Sequence, residues 1–412
     1  MDSHRALYPR CAGVVAEFDP FHRGHAHLLA RVRALCPDRG VICVMSGHFT
    51  QRGSAAAADK WARAEMALRG GADLVLELPV LWAAAPAETF ARGAVGILLD
   101  TGLVDTLAFG SECGEIAPLA RLADALDGAA AQEGIRAHLA RGLSYAAARQ
   151  AAMSDLLGAD AELLSGANNN LGVEYLRAVR HWGGEVRAVT IPRQGAAHDG
   201  TRAEGGYASA SLLRRYLAAG AWGEMTPYLP PESLSILRRR WEDGLCPADL
   251  TRCELGVLAR LRAMTAEELK RLPGWEPGLE RRLARAARES VTLAELYDRA
   301  KTRRCPEARV RRMVLWAFLG LTREDQRPRA PYLRVLGCNG RGRQLLRAMD
   351  GTARLPRLIR PGEARRLDPE GRRVFEIEAR ATDLWSLCLP GPEGRRGGME
   401  WRSRPGVLPE EH

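Results

Sequence analysis

Two imidazoles three residues apart carry the first chemical signal of this chain. His22-Arg23-Gly24-His25 reads H-x-G-H, directly after a short apolar run that begins at Cys11. Where a strand turns into a helix, the unpaired amides of the first helical turn face an anion, and Gly24 lets the backbone come close to it. Both imidazoles can then reach one phosphate and donate hydrogen bonds to the charge that builds on phosphoryl oxygens during an in-line displacement.

The surrounding pattern suits that placement. Cys11 to Phe18, Val41 to Met45, Leu74 to Leu78, Thr106 to Phe109 and Glu185 to Ile191 read as strands. They alternate with helical patterns near His25 to Leu35, Asp59 to Arg69, Phe90 to Leu99, Leu119 to Leu157 and Leu171 to Trp182. This alternation predicts an α/β fold, a Rossmann-like parallel sheet with helices on both faces, whose ligands bind at the carboxyl ends of the strands. From Ser209 to Phe318 the pattern is helical. A shorter strand and helix stretch follows Tyr332, and Leu389 to Gly398 and the last dozen residues read as flexible.

The 412 residues, 46% hydrophobic and 27% charged, are enough for two or three domains with real cores and exclude a disordered chain. The formal net charge of +10 is uneven: residues 1–200 hold 19 Lys and Arg against 22 Asp and Glu, net −3, and residues 201–412 hold 41 against 28, net +13. Such asymmetry predicts that the second half meets a polyanion. Lys301, Arg303, Arg304, Arg309, Arg311 and Arg312 form one dense basic stretch, and Arg341, Arg343 and Arg347 another. Phosphate contacts from such clusters give affinity and salt dependence. No apolar run is long enough for a membrane span, and no secretory signal pattern opens the chain. The nine cysteines include no C-x-x-C, so a reducing cytoplasm is expected, with no zinc or redox-metal site.

The H-x-G-H loop resembles that of the HxGH nucleotidyltransferases, which join a substrate oxygen to the α-phosphate of ATP with loss of pyrophosphate. Their second signature has a counterpart in Ala208-Ser209-Ala210-Ser211-Leu212-Leu213-Arg214. Within that superfamily, the chain resembles the bacterial tRNA(Met) cytidine acetate ligase family over nearly its whole length. The matching blocks run from Glu17 to His25, Met45 to Gly53, Asp59 to Ala64, Leu76 to Pro79, Phe109 to Glu112, Asn168 to Gly172 and Ile191 to Asp199, then Lys301 to Arg304, Arg334 to Asn339 and Ala381 to Trp385. The family's usual E-Y-N-P-F-H-N-G-H and S-G-N-F-V-Q-R-G-E-P are altered here at Asp19, Arg23, His48, Ser54 and Ala55. Asp19 in place of Asn sets a carboxylate near a triphosphate and calls for compensation by Arg23 or a metal.

The resemblance implies ATP lying along Val15, Ala16, Glu17, Phe18, Asp19, Pro20, Phe21, His22, Arg23, Gly24, His25, Ala26, His27 and Leu28. Gly110, Asn168 or Asn169, and Arg193 would complete the pocket, with Ser211 and Arg214 from the second signature. His22, His25 and Lys60 would be catalytic, and Lys60 or Arg52 would hold acetate. Acetate would be activated as acetyl-AMP and passed to N4 of the wobble cytidine of elongator tRNA(Met), with Mg²⁺ on the phosphates and Lys301, Arg303, Arg304, Arg309, Arg341 and Arg343 on the tRNA. The implied organisation is a nucleotidyltransferase-like catalytic domain at 1–220, a helical basic tRNA-binding region at 221–330 and a small α/β segment with a flexible tail at 331–412. No membrane or stable protein partner is expected. Two alternatives stand beside this reading: an adenylyltransferase acting on a phosphorylated small molecule, and a non-catalytic, nucleotide-dependent tRNA-binding protein.

Overall fold

A computed structural model describes residues 8–194, 203 and 205–408. Five strands stand where the apolar runs predict them: β1 (Cys11–Ala16), β2 (Gly40–Ser46), β3 (Leu74–Leu78), β4 (Val104–Ser111) and β5 (Arg187–Pro192). Every residue of β2 and β3 is buried, as parallel strands covered by helices on both faces must be. β1 pairs in parallel with β2 on one side and β4 on the other, while β3 extends the sheet beyond β2 and β5 beyond β4. The winding direction therefore reverses at β1. In open α/β sheets such a reversal leaves a crevice at the carboxyl ends of the two central strands.

The C-terminal segment departs from the expected separate unit. β6 (Leu333–Cys338) lies antiparallel on β3, and β7 (Arg357–Leu358) and β8 (Gly406–Val407) both pair with β6, so residues after Tyr332 extend the same sheet. The reason is burial: every position of β6 is covered, and only continuation of the sheet pairs its backbone groups there. Leu389 and Glu400 are buried, and the Leu408 N–H donates to the Cys338 carbonyl at 3.1 Å.

Between β5 and β6 the chain is helical, as the sequence predicts, with Ala210–Ala218, Pro231–Glu242, Glu254–Ala263, Leu279–Glu289, Leu293–Ala300 and Glu307–Phe318 among its helices. Two buried indoles fasten the later helices to the first part of the chain. Trp316 Nε1 donates to the Ala84 carbonyl and Trp385 Nε1 to the Ala56 carbonyl, each at 2.9 Å. An indole N–H buried without such a partner would be costly, so these contacts fix register as well as burying area.

Candidate active site

The helix Arg23–Leu35 begins with His22 as its cap. The Gly24 N–H donates to His22 Nδ1 at 3.0 Å, and the His22 N–H donates to His25 Nδ1 at 3.3 Å, a reciprocal capping box built from two imidazoles. Each Nδ1 is an acceptor, so in the neutral ring the proton lies on Nε2, on the far side of each imidazole. A Cβ on Gly24 would stand 2.9 Å from His22 Cε1, so glycine is what allows the cap to form. The buried Phe18 holds φ at +49°, a strained conformation for an aromatic residue that costs of order 1–3 kcal/mol. Its ring stands edge-on to both Phe21 and His25, with centroids 5.1 and 5.0 Å away, which shows what the strained turn supports.

A cleft opens above this turn, between the carboxyl ends of β1, β4 and β5. Val15 to Asp19, His22, Gly24, His25, His27 and Leu28 line it. Four residues of the expected ATP stretch do not. Pro20 and Phe21 are buried beneath the loop, Arg23 is exposed, and Ala26 packs against the core that includes Phe18 and Phe21.

Gly110 and Arg193 line the cleft at the ends of β4 and β5. Of the two asparagines, Asn168 lines it, and its Oδ1 accepts from Arg193 at 3.3 Å. Asn169 is buried, its Oδ1 accepting from the Glu112 and Cys113 N–H groups at 2.9 and 3.1 Å, so it braces the loop after β4. The Glu112 carboxylate in turn caps the helix Ala167–His181 through the N–H groups of Asn168 and Asn169, at 3.1 and 2.7 Å, and the Asn168 side chain at 2.6 Å. Burial alone would raise the Glu112 carboxyl; these donors hold it below its ordinary value.

Asp19 Oδ1 accepts from the Ala57 N–H at 2.7 Å, and its compensating charge is Arg214, 3.5 Å from Oδ2 and donating to the Asp19 carbonyl at 2.8 Å. Among the protein's own side chains it is thus Arg214, and not Arg23 as expected, that plays this part. Ser211 does not line the cleft; its Oγ accepts from Arg214 at 3.2 Å, while Ser209 caps the helix through the Leu212 N–H. Arg63, fully buried, donates to the carbonyls of Glu17, Ser46, Gly47 and Ala58, and so ties the loop after β1 to the loop after β2.

Lys60 does not reach the cleft. Its ammonium is buried 2.5 Å from Glu77, 2.6 Å from Glu400 and 3.6 Å from Glu378, and Arg334 holds the other oxygen of Glu400 at 3.1 Å. Burial alone would lower Lys60; the three carboxylates overcome it and hold the ammonium above its ordinary value. Three carboxylates in the interior need a cation, and that need fixes Lys60 there. His48 belongs to the same interior network, its Nε2 accepting from the Lys60 N–H and its Nδ1 meeting Thr382 Oγ1 at 3.1 Å. Burial, and then the Lys60 charge, push it well below the usual imidazole range. Arg52, the other candidate for acetate, does line the cleft.

Sequence reasoning missed Leu171, Tyr175 and Tyr207, which also line the cleft. Leu171 and Tyr175 follow Asn168 at i+3 and i+7, one face of a helix, and that periodicity was the available signal. On the basic side, Arg303 and Arg304 are exposed, whereas Lys301 pairs with Asp298 at 2.7 Å and Arg309 with Glu276 at 2.8 Å. The second cluster is not brought to the cleft. Arg341 donates to the Asp38 carbonyl just ahead of β2, at the opposite end of the strands, and Arg343 follows it on the helix Gly340–Thr352. The block that ends in His198 and Asp199 lies largely outside the described residues. Among the described residues no three His, Cys, Asp or Glu side chains gather as a metal site, and no helix is long and apolar enough to cross a membrane.

A cleft at the switch point of a parallel sheet, with paired imidazoles at a helix start, is the architecture of a nucleotidyltransferase. Residues 10–399 match the family described as HIGH Nucleotidyl Transferase. More narrowly, the chain belongs to the tRNA(Met) cytidine acetate ligase family. It is 33% identical to the protein of that name from Fervidobacterium nodosum, over 95% of this chain and 98% of the relative, and 38% identical to that from Syntrophotalea carbinolica, over 93% and 96%. Its fold is similar to crystal structures of Thermotoga maritima TmcAL. The apo form gives a TM-score of 0.94 at 32% identity, covering 97% of this chain and 100% of the other. The form bound with alpha-thio ATP gives 0.92 at 31% identity with the same coverage.

Proposed function

We propose that the chain is an ATP-dependent ligase that activates acetate as acetyl-AMP in the cleft and passes the acetyl group to N4 of the wobble cytidine of elongator tRNA(Met). The observation that carries this reading is the His22–His25 capping box, which commits both Nδ1 atoms to backbone N–H groups and leaves Nε2 of each ring as the donor. Acetate oxygen attacks the α-phosphorus, the bond to the bridging oxygen breaks, and pyrophosphate leaves with the electron pair. The two Nε2–H donors and the amides of the first helical turn stabilise the charge gathering on the phosphoryl oxygens, a contribution of about 10²–10³ in rate for a single well-aimed donor. Asn168 offers both donor and acceptor to base or ribose, Arg193 a fork for phosphate, and Arg52 a cation for the acetate carboxylate.

In the second step N4 of the cytidine attacks the acetyl carbonyl. The amide bond forms as AMP departs with its oxygen and the N4 proton is lost. Unstacking the base costs little in a single-stranded anticodon loop. Mg²⁺ is the expected counter-ion of the phosphates, but the residues present make no dedicated cage for it: Glu17 and Asp19, the acidic residues at the cleft, are already held by the N–H groups of Gln51 and Ala57 at 2.7 Å each. Labelled acetate, ATP and bacterial tRNA, followed by digestion and a search for acetylcytidine, test the reading. Absence of acetate-dependent AMP release with any tRNA would sink it.

A further inference from the structure

The turn Gln51-Arg52-Gly53 is held from two sides by parts of the chain that lie far apart in sequence. Its base is braced internally: Phe49 and Ala55 form an antiparallel bridge, and the Thr50 N–H donates to the Ser54 carbonyl at 3.0 Å. On the cleft side, the Gln51 N–H donates to Glu17 Oε1 at 2.7 Å, and Gln51 and Arg52 line the cleft. On the other side the turn is pressed onto the helix Glu307–Phe318, which ends the basic stretch. Arg312 donates to the Gln51 carbonyl at 3.2 Å, and a Cβ on Gly53, whose φ is +76°, would stand 2.7 Å from the Arg312 backbone nitrogen.

Arg312 differs electrostatically from its neighbours. Lys301, Arg309 and Arg311 each have a carboxylate partner, in Asp298, Glu276 and Glu307. Arg312 has none within 4.0 Å among the described residues, only the Gln51 carbonyl, although its guanidinium is half-buried. Burial, with Arg309 nearby, pulls it down to about 10. A planar guanidinium in this situation gains most from a doubly hydrogen-bonding oxyanion.

We propose that Arg312 is a positioning residue for acetyl transfer: it takes a backbone phosphate of the acceptor RNA as its missing counter-charge and, through the Gln51 carbonyl, ties the docked RNA to the Gln51–Gly53 turn, which the Phe49–Ala55 bridge and the Gln51–Glu17 hydrogen bond already hold at the cleft without RNA. This rests on the ligase reading. The same side chain then links RNA docking to the place where the acyl-adenylate waits, and the link passes through one carbonyl, that of Gln51.

The full chain tests this in two half-reactions: acetate-dependent ATP–pyrophosphate exchange without tRNA, and transfer to tRNA in a single turnover. For Arg312→Gln, exchange stays within about threefold while transfer falls by about tenfold to a hundredfold, and the salt slope of tRNA binding drops by about one phosphate contact. Gly53→Ala, which displaces the turn but keeps the charge, lowers transfer with the salt slope unchanged. If Arg312→Gln lowers exchange and transfer equally, or leaves transfer intact, the proposal is overturned; should Gly53→Ala fail to fold, Arg312→Gln alone decides it. A wild-type chain that neither exchanges nor transfers would overturn the ligase reading itself.

Discussion

His22 and His25 hold each other in place: the N–H of the first donates to Nδ1 of the second at 3.3 Å, and their rings stack with centroids 3.8 Å apart and planes 22° from parallel. A helix cap and a pair of phosphate donors are thus the same two side chains. Losing the cap costs about 1 kcal/mol, whereas losing a donor aimed at a transition state costs about 3–4 kcal/mol, so function is the more sensitive to substitution here.

His22→Ala and His25→Ala should each lower acetyl-AMP formation by about 10²–10³ while tRNA binding persists. Gly24→Ala should do part of the same, because the added Cβ displaces the His22 ring and not the backbone. Pyrophosphate exchange measures all three. Undiminished exchange in the histidine variants would remove the proposed phosphate role.

Asp19 and Arg214 should behave as one unit. Arg214→Ala leaves a buried carboxylate beside the phosphate site without its cation, and KM for ATP should rise by about tenfold or more. Asp19→Asn keeps an oxygen for the Ala57 N–H and removes the charge, so it should recover much of that loss in the double variant. A double-mutant cycle measures the coupling, and strictly additive effects would mean that Arg214 acts on ATP independently of Asp19.

Lys60→Met should destabilise the fold by about 3–5 kcal/mol, since it leaves interior carboxylates without their cation. Denaturant midpoints would register this. A stable variant that merely loses acetate activation would return Lys60 to the site. Glu77 in the same cluster is raised well above 4.5 by burial and by Glu378 and Glu400, against the pull of Lys60. A carboxyl raised in the folded state stabilises fully below about pH 4.5 and loses that contribution as pH rises through its folded value. Glu400, although buried, is lowered by Lys60 and Arg334; its contribution is present above 4.5 and lost as pH falls. Glu77→Gln should therefore gain stability relative to wild type as the pH rises above 4.5, with the acid-side loss unchanged. Parallel pH–stability curves for the two proteins would refute this.

Charge reversal at Arg303 and Arg304 should weaken tRNA binding and flatten its salt dependence without changing ATP affinity, because both are exposed on the basic stretch whose far end touches the cleft loop. Arg341→Glu, at the opposite end of the strands, should change neither. Filter binding across a salt series separates the two clusters, and equal losses would mean that the RNA wraps the whole sheet.

The order of strands and helices in the first 200 residues, and the loop with H-x-G-H, were legible in the sequence because they depend on local pattern: apolar runs, helical periodicity, and a glycine at a helix start. Asn168, with Leu171 and Tyr175 in helical register behind it, belongs to the same readable kind. What tertiary structure alone decided were pairings across long separations. Lys60 looked like a catalytic residue beside its own sequence neighbours, yet two of its three carboxylates, Glu378 and Glu400, arrive more than 300 positions later and draw it into the interior. Arg214 and Asp19, Arg312 and Gln51, and the antiparallel β6 on β3 follow the same logic. Sequence pattern reports which groups a chain must bury or expose; which charge meets which depends on packing, because a buried ion accepts only a partner that the whole fold brings within a few ångströms.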